Sequence, residues 1–202
     1  AQFFTSRNRH FAAWIDTLLA DDLVYEWCRG FGVNDGFPRF VARGGMAELG
    51  RTLARGLTVR LDTPVRAVIA GAEHWQVVLD GEDEPLAARA VVLTAPVPQS
   101  LRILEAGGVM LGDDEHEGLA RIAYDPTMAL VAVLDRSPDL PRPGAVQRDV
   151  GAFSFVADNE AKGLSDVPAL TLHASAALSS ALWTESDTKA MASLLDAAEE
   201  FV

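Results

Sequence analysis

The stretch that most constrains this chain is Ala90-Val91-Val92-Leu93-Thr94-Ala95-Pro96-Val97-Pro98-Gln99. Its first half is a short continuous apolar run, the pattern of a strand buried on both faces of a sheet. Pro96 and Pro98 forbid a hydrogen-bonded ladder from that point, and a helix can start at Gln99. A buried strand ending in a small-residue turn is how an open α/β sheet presents its backbone to a ligand at its carboxyl edge. An ordinary strand–loop–helix connection carries the same pattern, so the stretch leaves the ligand open.

The segments around it mix helix and strand. Ser6 can cap a helix whose one face holds Phe11, Trp14, Ile15, Leu18 and Leu19, with Asp21 and Asp22 ending it. Residues 23–31 and 37–42 flank Asn34-Asp35-Gly36 and read as a hairpin, with Pro38 at an edge or strand entry. Gly44-Gly45 precedes a short helix with Met46, Leu49 and Leu53 on one side, and Gly56 suits a left-handed cap. Alternation predicts a half-buried strand at 57–61. The runs 65–70, 75–79 and 86–94 predict a small meander whose last strand continues into a central sheet. Further strands are expected at 128–134, 153–156 and 170–174, and helices at 101–106, 115–122 and 187–201. The order shows neither strict βαβ alternation nor segregation. It fits an α/β chain of mixed α+β type, with an α+β layer interleaved with part of a parallel-sheet domain.

Composition narrows the function. Of 202 residues, 49% are apolar, enough for a substantial core. Twenty-nine acidic residues against 17 basic ones give a net charge of −12, which argues against sequence-independent binding to nucleic acid or to an anionic membrane. The single cysteine, Cys28, has no internal disulfide partner, and a reducing, cytoplasmic compartment fits. No apolar run approaches the roughly 18–20 residues that span a bilayer. The chain opens on Ala1 in what reads as the tail of a strand, and it closes inside a helical pattern; both ends read as cut from a longer protein.

Signatures of nucleophilic or metal catalysis are missing: no Cys-x-x-Cys, no paired-histidine spacing, no Gly-x-Ser-x-Gly elbow. Of the scattered histidines, His173 alternates with Leu172 and Ala174 and can face a pocket or serve as a satisfied structural residue. Gly44-Gly45 before a helix offers backbone amides to an anion or simply makes a tight turn. Phe3, Phe4, Trp27, Phe37 and Phe40 can wall an aromatic pocket or fill a core. Arg39, a charge inside an apolar strand, is either solvent-facing or a ligand anchor.

In order and spacing, several segments resemble the FAD-dependent oxidoreductases of the amine-oxidase superfamily, specifically the bacterial renalase-like branch. They are Ala1-Gln2-Phe3-Phe4-Thr5, Trp27, Asp35-Gly36-Phe37-Pro38-Arg39-Phe40-Val41, Arg43-Gly44-Gly45-Met46, Val65, residues 90–99, Ala157-Asp158-Asn159-Glu160-Ala161-Lys162-Gly163 and His173-Ala174-Ser175. The resemblance implies a Rossmann-like domain that holds FAD and a mixed-sheet substrate domain over the flavin, both discontinuous in sequence. It assigns 1–43 to a substrate-domain helix and hairpin, 44–100 to a partial FAD-binding domain, and 101–202 to the substrate domain. By position it places Gln2, Phe3, Gly44, Gly45, Met46, Val65, Thr94, Ala95 and Pro96 near the cofactor, and Trp27, Phe37, Arg39 and His173 on the substrate face. The implied reaction passes a hydride from a small molecule to FAD, which dioxygen or another acceptor reoxidises. The substrate is expected to be a dihydronicotinamide dinucleotide, with an amine as the alternative, or the chain is a binding domain that has lost its cofactor site. The family's Gly-x-Gly-x-x-Gly phosphate loop, its ribose-holding acidic residue and its carboxyl-terminal glycine-rich FAD segment do not occur in these residues. The piece is therefore expected to hold FAD weakly or not at all.

Overall fold

A computed structural model describes residues 2–202, so Ala1 of the expected opening strand lies outside the described residues. The chain forms two compact units. The larger takes residues 1–57 and 125–202, and the smaller takes 58–124.

The larger unit opens with helix α1 (Arg9–Ala20), capped by the Asn8 side chain rather than by Ser6. Only Ile15 and Leu18 of its apolar face are buried. Strands β1 (Val24–Cys28) and β2 (Arg39–Ala42) form the expected antiparallel hairpin. Phe4 pairs with Phe40 through two backbone hydrogen bonds of 3.0 and 2.8 Å, so the opening segment does find a partner. Neighbouring residues of an extended segment point to opposite sides. Phe4 accordingly packs with Leu23 and Met46 against Leu18, Val24, Ala42 and Leu49, while Phe3 joins another cluster. Helix α2 (Met46–Leu53) follows at once. Gly44 and Gly45 turn the chain into it with φ of 72° and 96°, values that disfavour any side chain.

The smaller unit holds the antiparallel meander β3 (Val65–Ala70), β4 (Trp75–Leu79) and β5 (Leu86–Ala88). Helices α3 (Val97–Ala106) and α4 (Asp113–Ala120) follow. Two expectations fail here. The strand at 57–61 does not form, and Leu57, Val59 and Leu61 are exposed. Nor does 90–94 form a strand: β5 ends at Ala88, and Val92 is 84% exposed. An apolar run becomes a buried strand only when neighbours pair its backbone, and no described strand pairs with either segment. The proline turn beyond behaves as expected. The Pro96 carbonyl accepts from the amides of Gln99 and Ser100, starting α3 two residues before Gln99.

The rest of the larger unit is a four-stranded antiparallel sheet in the order β6 (Ala129–Val133), β9 (Ala169–Ala174), β8 (Phe153–Asp158), β7 (Ala145–Gln147). Helices α5 (Ala176–Leu182) and α6 (Asp187–Ala198) cover one face. Leu130, Val156, Leu170, Leu172 and Ala174 point there, against Leu182, Ala190, Leu194 and Phe201. Strand β6, wholly apolar in sequence, is an edge strand, with Val131 and Val133 exposed on the opposite face.

Candidate functional site

The opposite face of this sheet gathers several of the expected site residues. Phe155 pairs across the ladder with His173, and Ala157 with Thr171, so these side chains share one side. The hairpin lays its own aromatics on them. Phe3 stands 5.9 Å from Phe155 and 5.2 Å from Phe31, Trp27 stands 5.3 Å from Phe31, and the His173 ring lies 5.8 Å from Phe155. Phe155 is buried, whereas Phe3, Trp27, Phe31 and His173 are half-buried. The result is a patch of tilted rings, partly open to solvent.

Three contacts set the hairpin on the sheet. Trp27 Nε1 donates to the Pro143 carbonyl at 3.2 Å. The Tyr25 hydroxyl donates to the carbonyl of Lys162. Lys162 Nζ in turn donates to Gln2 Oε1 at 2.7 Å and lies 4.8 Å from the centre of the Trp27 ring. Lys162 is only 2% exposed. The tight turn after β8 delivers it there: Asp158 Oδ1 accepts from the amides of Glu160 and Ala161, and the Lys162 amide donates to the Asp158 carbonyl at 3.0 Å. Gly144 makes room for that turn. A Cβ on it would come within 2.7 Å of Ala161 Cβ, and its φ of 82° is itself a glycine conformation.

Burial sets the electrostatics. It pulls the Lys162 ammonium down to about 8 from its ordinary 10.5. It also lowers His173, keeping that imidazole neutral at pH 7, and it pushes the Cys28 thiol up.

The expected site residues divide. Gln2, Phe3, Trp27 and His173 come together on this face. Arg39 lies beside it, 5.7 Å from the Phe31 ring, but its η nitrogens are bound bidentately by Asp35 at 2.7 and 2.6 Å and also reach the Phe37 carbonyl. The anchor that alternation left open is therefore already occupied. Phe37 is exposed, with the Arg7 guanidinium over its ring. Gly44 and Gly45 form the turn before α2, and Met46 packs into the α1–β1–α2 cluster. Val65, Thr94, Ala95 and Pro96 belong to the smaller unit, where Val65 opens β3 and the other three are exposed. Lys162, Phe31 and Phe155 were not foreseen as site residues. Lys162 did carry a signal, being one of only two lysines in the chain. A cleft of about 1090 Å³ runs between β6 and the end of α6 and contains none of these residues.

A half-buried surface of rings with an amide at its border suits one edge and face of a planar heteroaromatic group. It fits the ring system of a flavin. Among the described residues no glycine-rich loop leading into a helix N-terminus, the usual cradle of a pyrophosphate, is gathered on it.

The sequence matches the family model for flavin containing amine oxidoreductases over residues 5–196. The chain belongs to that family. Among solved structures it is similar to a redesigned putrescine oxidase, with 23% identity, a TM-score of 0.60 and coverage of 82% of this chain and 36% of that one. It is also similar to a protoporphyrinogen oxidase described as putative, from Exiguobacterium sp. 255-15, with 20% identity, a TM-score of 0.60 and coverage of 83% and 37%. The mixed α/β fold is thus that of the FAD-dependent amine oxidases. The chain spans little more than a third of the length of these structures.

Proposed function

We propose that the aromatic face of the larger unit is where a reduced nicotinamide-type substrate meets FAD in a flavin-dependent oxidation. When bound, the flavin supplies the two-electron acceptor, and dioxygen or another acceptor regenerates it. Gln2 and Phe3 would border the flavin ring. Trp27, Phe31 and the neutral His173 would stack the substrate ring, exclude water and hold it parallel to the flavin. Thr94, Ala95, Pro96, Val65 and the Gly44–Gly45 turn are offered for the rest of the cofactor on the resemblance alone. Arg39 keeps the 35–39 turn closed; an anionic substrate group would have to displace Asp35 to use it.

The observation that carries the substrate class is the charge of the face. The Lys162 ammonium is buried there, and among the described residues no carboxylate pairs with it, the buried Asp158 facing the amides of its own turn. A protonated amine would meet like charge there, whereas a neutral dihydronicotinamide ring on an anionic dinucleotide would not. The likeness to putrescine oxidase keeps an amine as the second reading. Anaerobic mixing of the natural protein carrying this sequence with FAD, then with a dihydronicotinamide dinucleotide or putrescine, separates them. Flavin bleaching by the nicotinamide alone supports the first reading, and bleaching by putrescine alone the second. For the 202-residue chain by itself we expect weak FAD retention; flavin co-purifying at one equivalent would overturn that.

A further inference from the structure

Lys162 is the one group on the aromatic face whose presence burial does not explain. An ammonium removed from water with no anion beside it is costly. Hydrophobic packing alone would place Leu or Met there. The fold instead holds the residue from both backbone sides, through the Asp158 carbonyl and the Tyr25 hydroxyl, and aims its Nζ at Gln2 Oε1.

The consequence falls on Gln2. A side-chain amide has an acceptor end and a donor end and can turn either toward a neighbour. An ammonium has donors only, so it accepts one orientation and rejects the other. We propose that Lys162 is a positioning residue: its ammonium holds the Gln2 amide with Oε1 inward, which leaves the two Nε2 hydrogens as a fixed donor pair at the border of the aromatic face, directed to the acceptor edge of a flavin ring. This rests on the flavin reading above. Neutral Lys162 gains a lone pair and loses that selectivity, so the lock weakens as the amine loses its proton.

Other titratable groups face the ammonium. From β1, Tyr25 is raised by burial and the Cys28 thiol is likewise pushed up. From β9, His173 is lowered. The Asp158 carboxylate faces the amides of its own turn. Between pH 7 and 9 Lys162 changes charge, and so does the amino terminus of the 202-residue chain, one residue from Gln2, so the Lys162 ε-carbon is followed alongside the amide.

The test is an NMR titration of the 202-residue chain, following the Gln2 side-chain amide and the Lys162 ε-carbon, with riboflavin as the ring probe. In the wild type the two Gln2 amide protons shift together with the Lys162 ε-carbon, with a shared midpoint near pH 8; in Lys162→Met the component that follows Lys162 is gone and only that of the amino terminus remains. Gln2→Glu keeps a partner for Lys162 but removes the donor, so the lysine midpoint rises. Riboflavin affinity falls about five- to tenfold in either variant, the size of one lost hydrogen bond, and the double variant is no weaker than either alone. A Gln2 amide indifferent to pH 7–9.5 in the wild type, or losses that multiply in the double variant, overturns the proposal. If Lys162→Met does not fold, the wild-type titration and Gln2→Glu still decide it. A locked amide that riboflavin leaves unshifted at millimolar concentration sinks the flavin reading while the hold of Lys162 on Gln2 stands.

Discussion

The two faces of the four-stranded sheet are made by the same strands and obey different rules. On the helix-covered face, Leu170 and Leu172 are fully buried in an apolar cluster, and the buried polar side chain of α5, Ser179, is hydrogen-bonded to the Met128 amide and the Ala174 carbonyl. On the other face Phe155 lies beneath Phe3, Trp27 and Phe31, with His173 beside it across the ladder, and a buried ammonium without an ion-pair partner among the described residues stands at the border. Burying an aliphatic side chain stabilises by about 1.5–3 kcal/mol, whereas burying an unpaired charge costs. The comparison teaches that the first face holds the fold together and the second spends part of that stability on a surface for something else.

The largest change should come from the covered face. Leu172→Ala removes a fully buried side chain from a closed core, and urea unfolding should show a loss of about 2–5 kcal/mol. The Gln2 and His173 resonances should stay in place, and a shift in them would mean the two faces are not independent.

Next is Lys162→Met, which should act in the opposite direction. The lysine titrates lower in the folded state, about 8 against 10.5, so between those values the unfolded chain binds more protons. Wild-type stability should rise as pH climbs through that window, because the burial cost of the charge disappears. The variant should be about 1–3 kcal/mol more stable than wild type at pH 7, less the lost bond to Gln2, and the gap should close by pH 10.5. A variant less stable at both pH values would show that the ammonium is structural.

Smaller again, Gly144→Ala should cost about 1–2 kcal/mol, since the side chain meets Ala161 Cβ at 2.7 Å in a left-handed conformation. It should also blunt the pH response of Gln2, because the turn that carries Lys162 moves. The smallest effect belongs to the exposed turn. The Arg39 guanidinium, then the Phe37 amide, hold the Asp35 carboxyl down to about 2. That contribution is fully present above the ordinary carboxylate range and is lost as pH falls through 2; Asp35 is exposed and solvent screens the pair, so the contribution is small and Asp35→Asn should cost little stability at pH 7. Arg39→Ala should return the Asp35 midpoint to the ordinary range without altering riboflavin binding; a several-fold loss of binding would restore Arg39 as a ligand anchor.

Elements whose stabilising contacts are local could be read from the sequence. Residues 65–70 and 75–79 alternate around a short turn, and they form β3 and β4 at those bounds. The 23–42 hairpin follows from Asn34-Asp35-Gly36 in the same way. Residues 57–61 and 90–94 have a strand-like pattern, but pairing requires distant backbone that the described residues do not supply. Strand β7 hides behind a proline-rich loop, and α5 is short and rich in Ala and Ser, so neither has a clear periodicity. At the site, alternation exposed His173, and the resemblance brought in Gln2, Phe3 and Trp27. Lys162 escaped because its meaning lies in a contact with Gln2 that spans 160 positions, which no local pattern encodes.

The central claim is that the hairpin-covered side of the sheet receives a flat heteroaromatic ring. Riboflavin titrated into the isotope-labelled 202-residue chain addresses it directly. The account predicts millimolar binding that shifts Trp27 Nε1–H, the His173 ring and the Gln2 amide together, with FAD no tighter than riboflavin. Shifts confined to α5 and α6, or none at all, would contradict it.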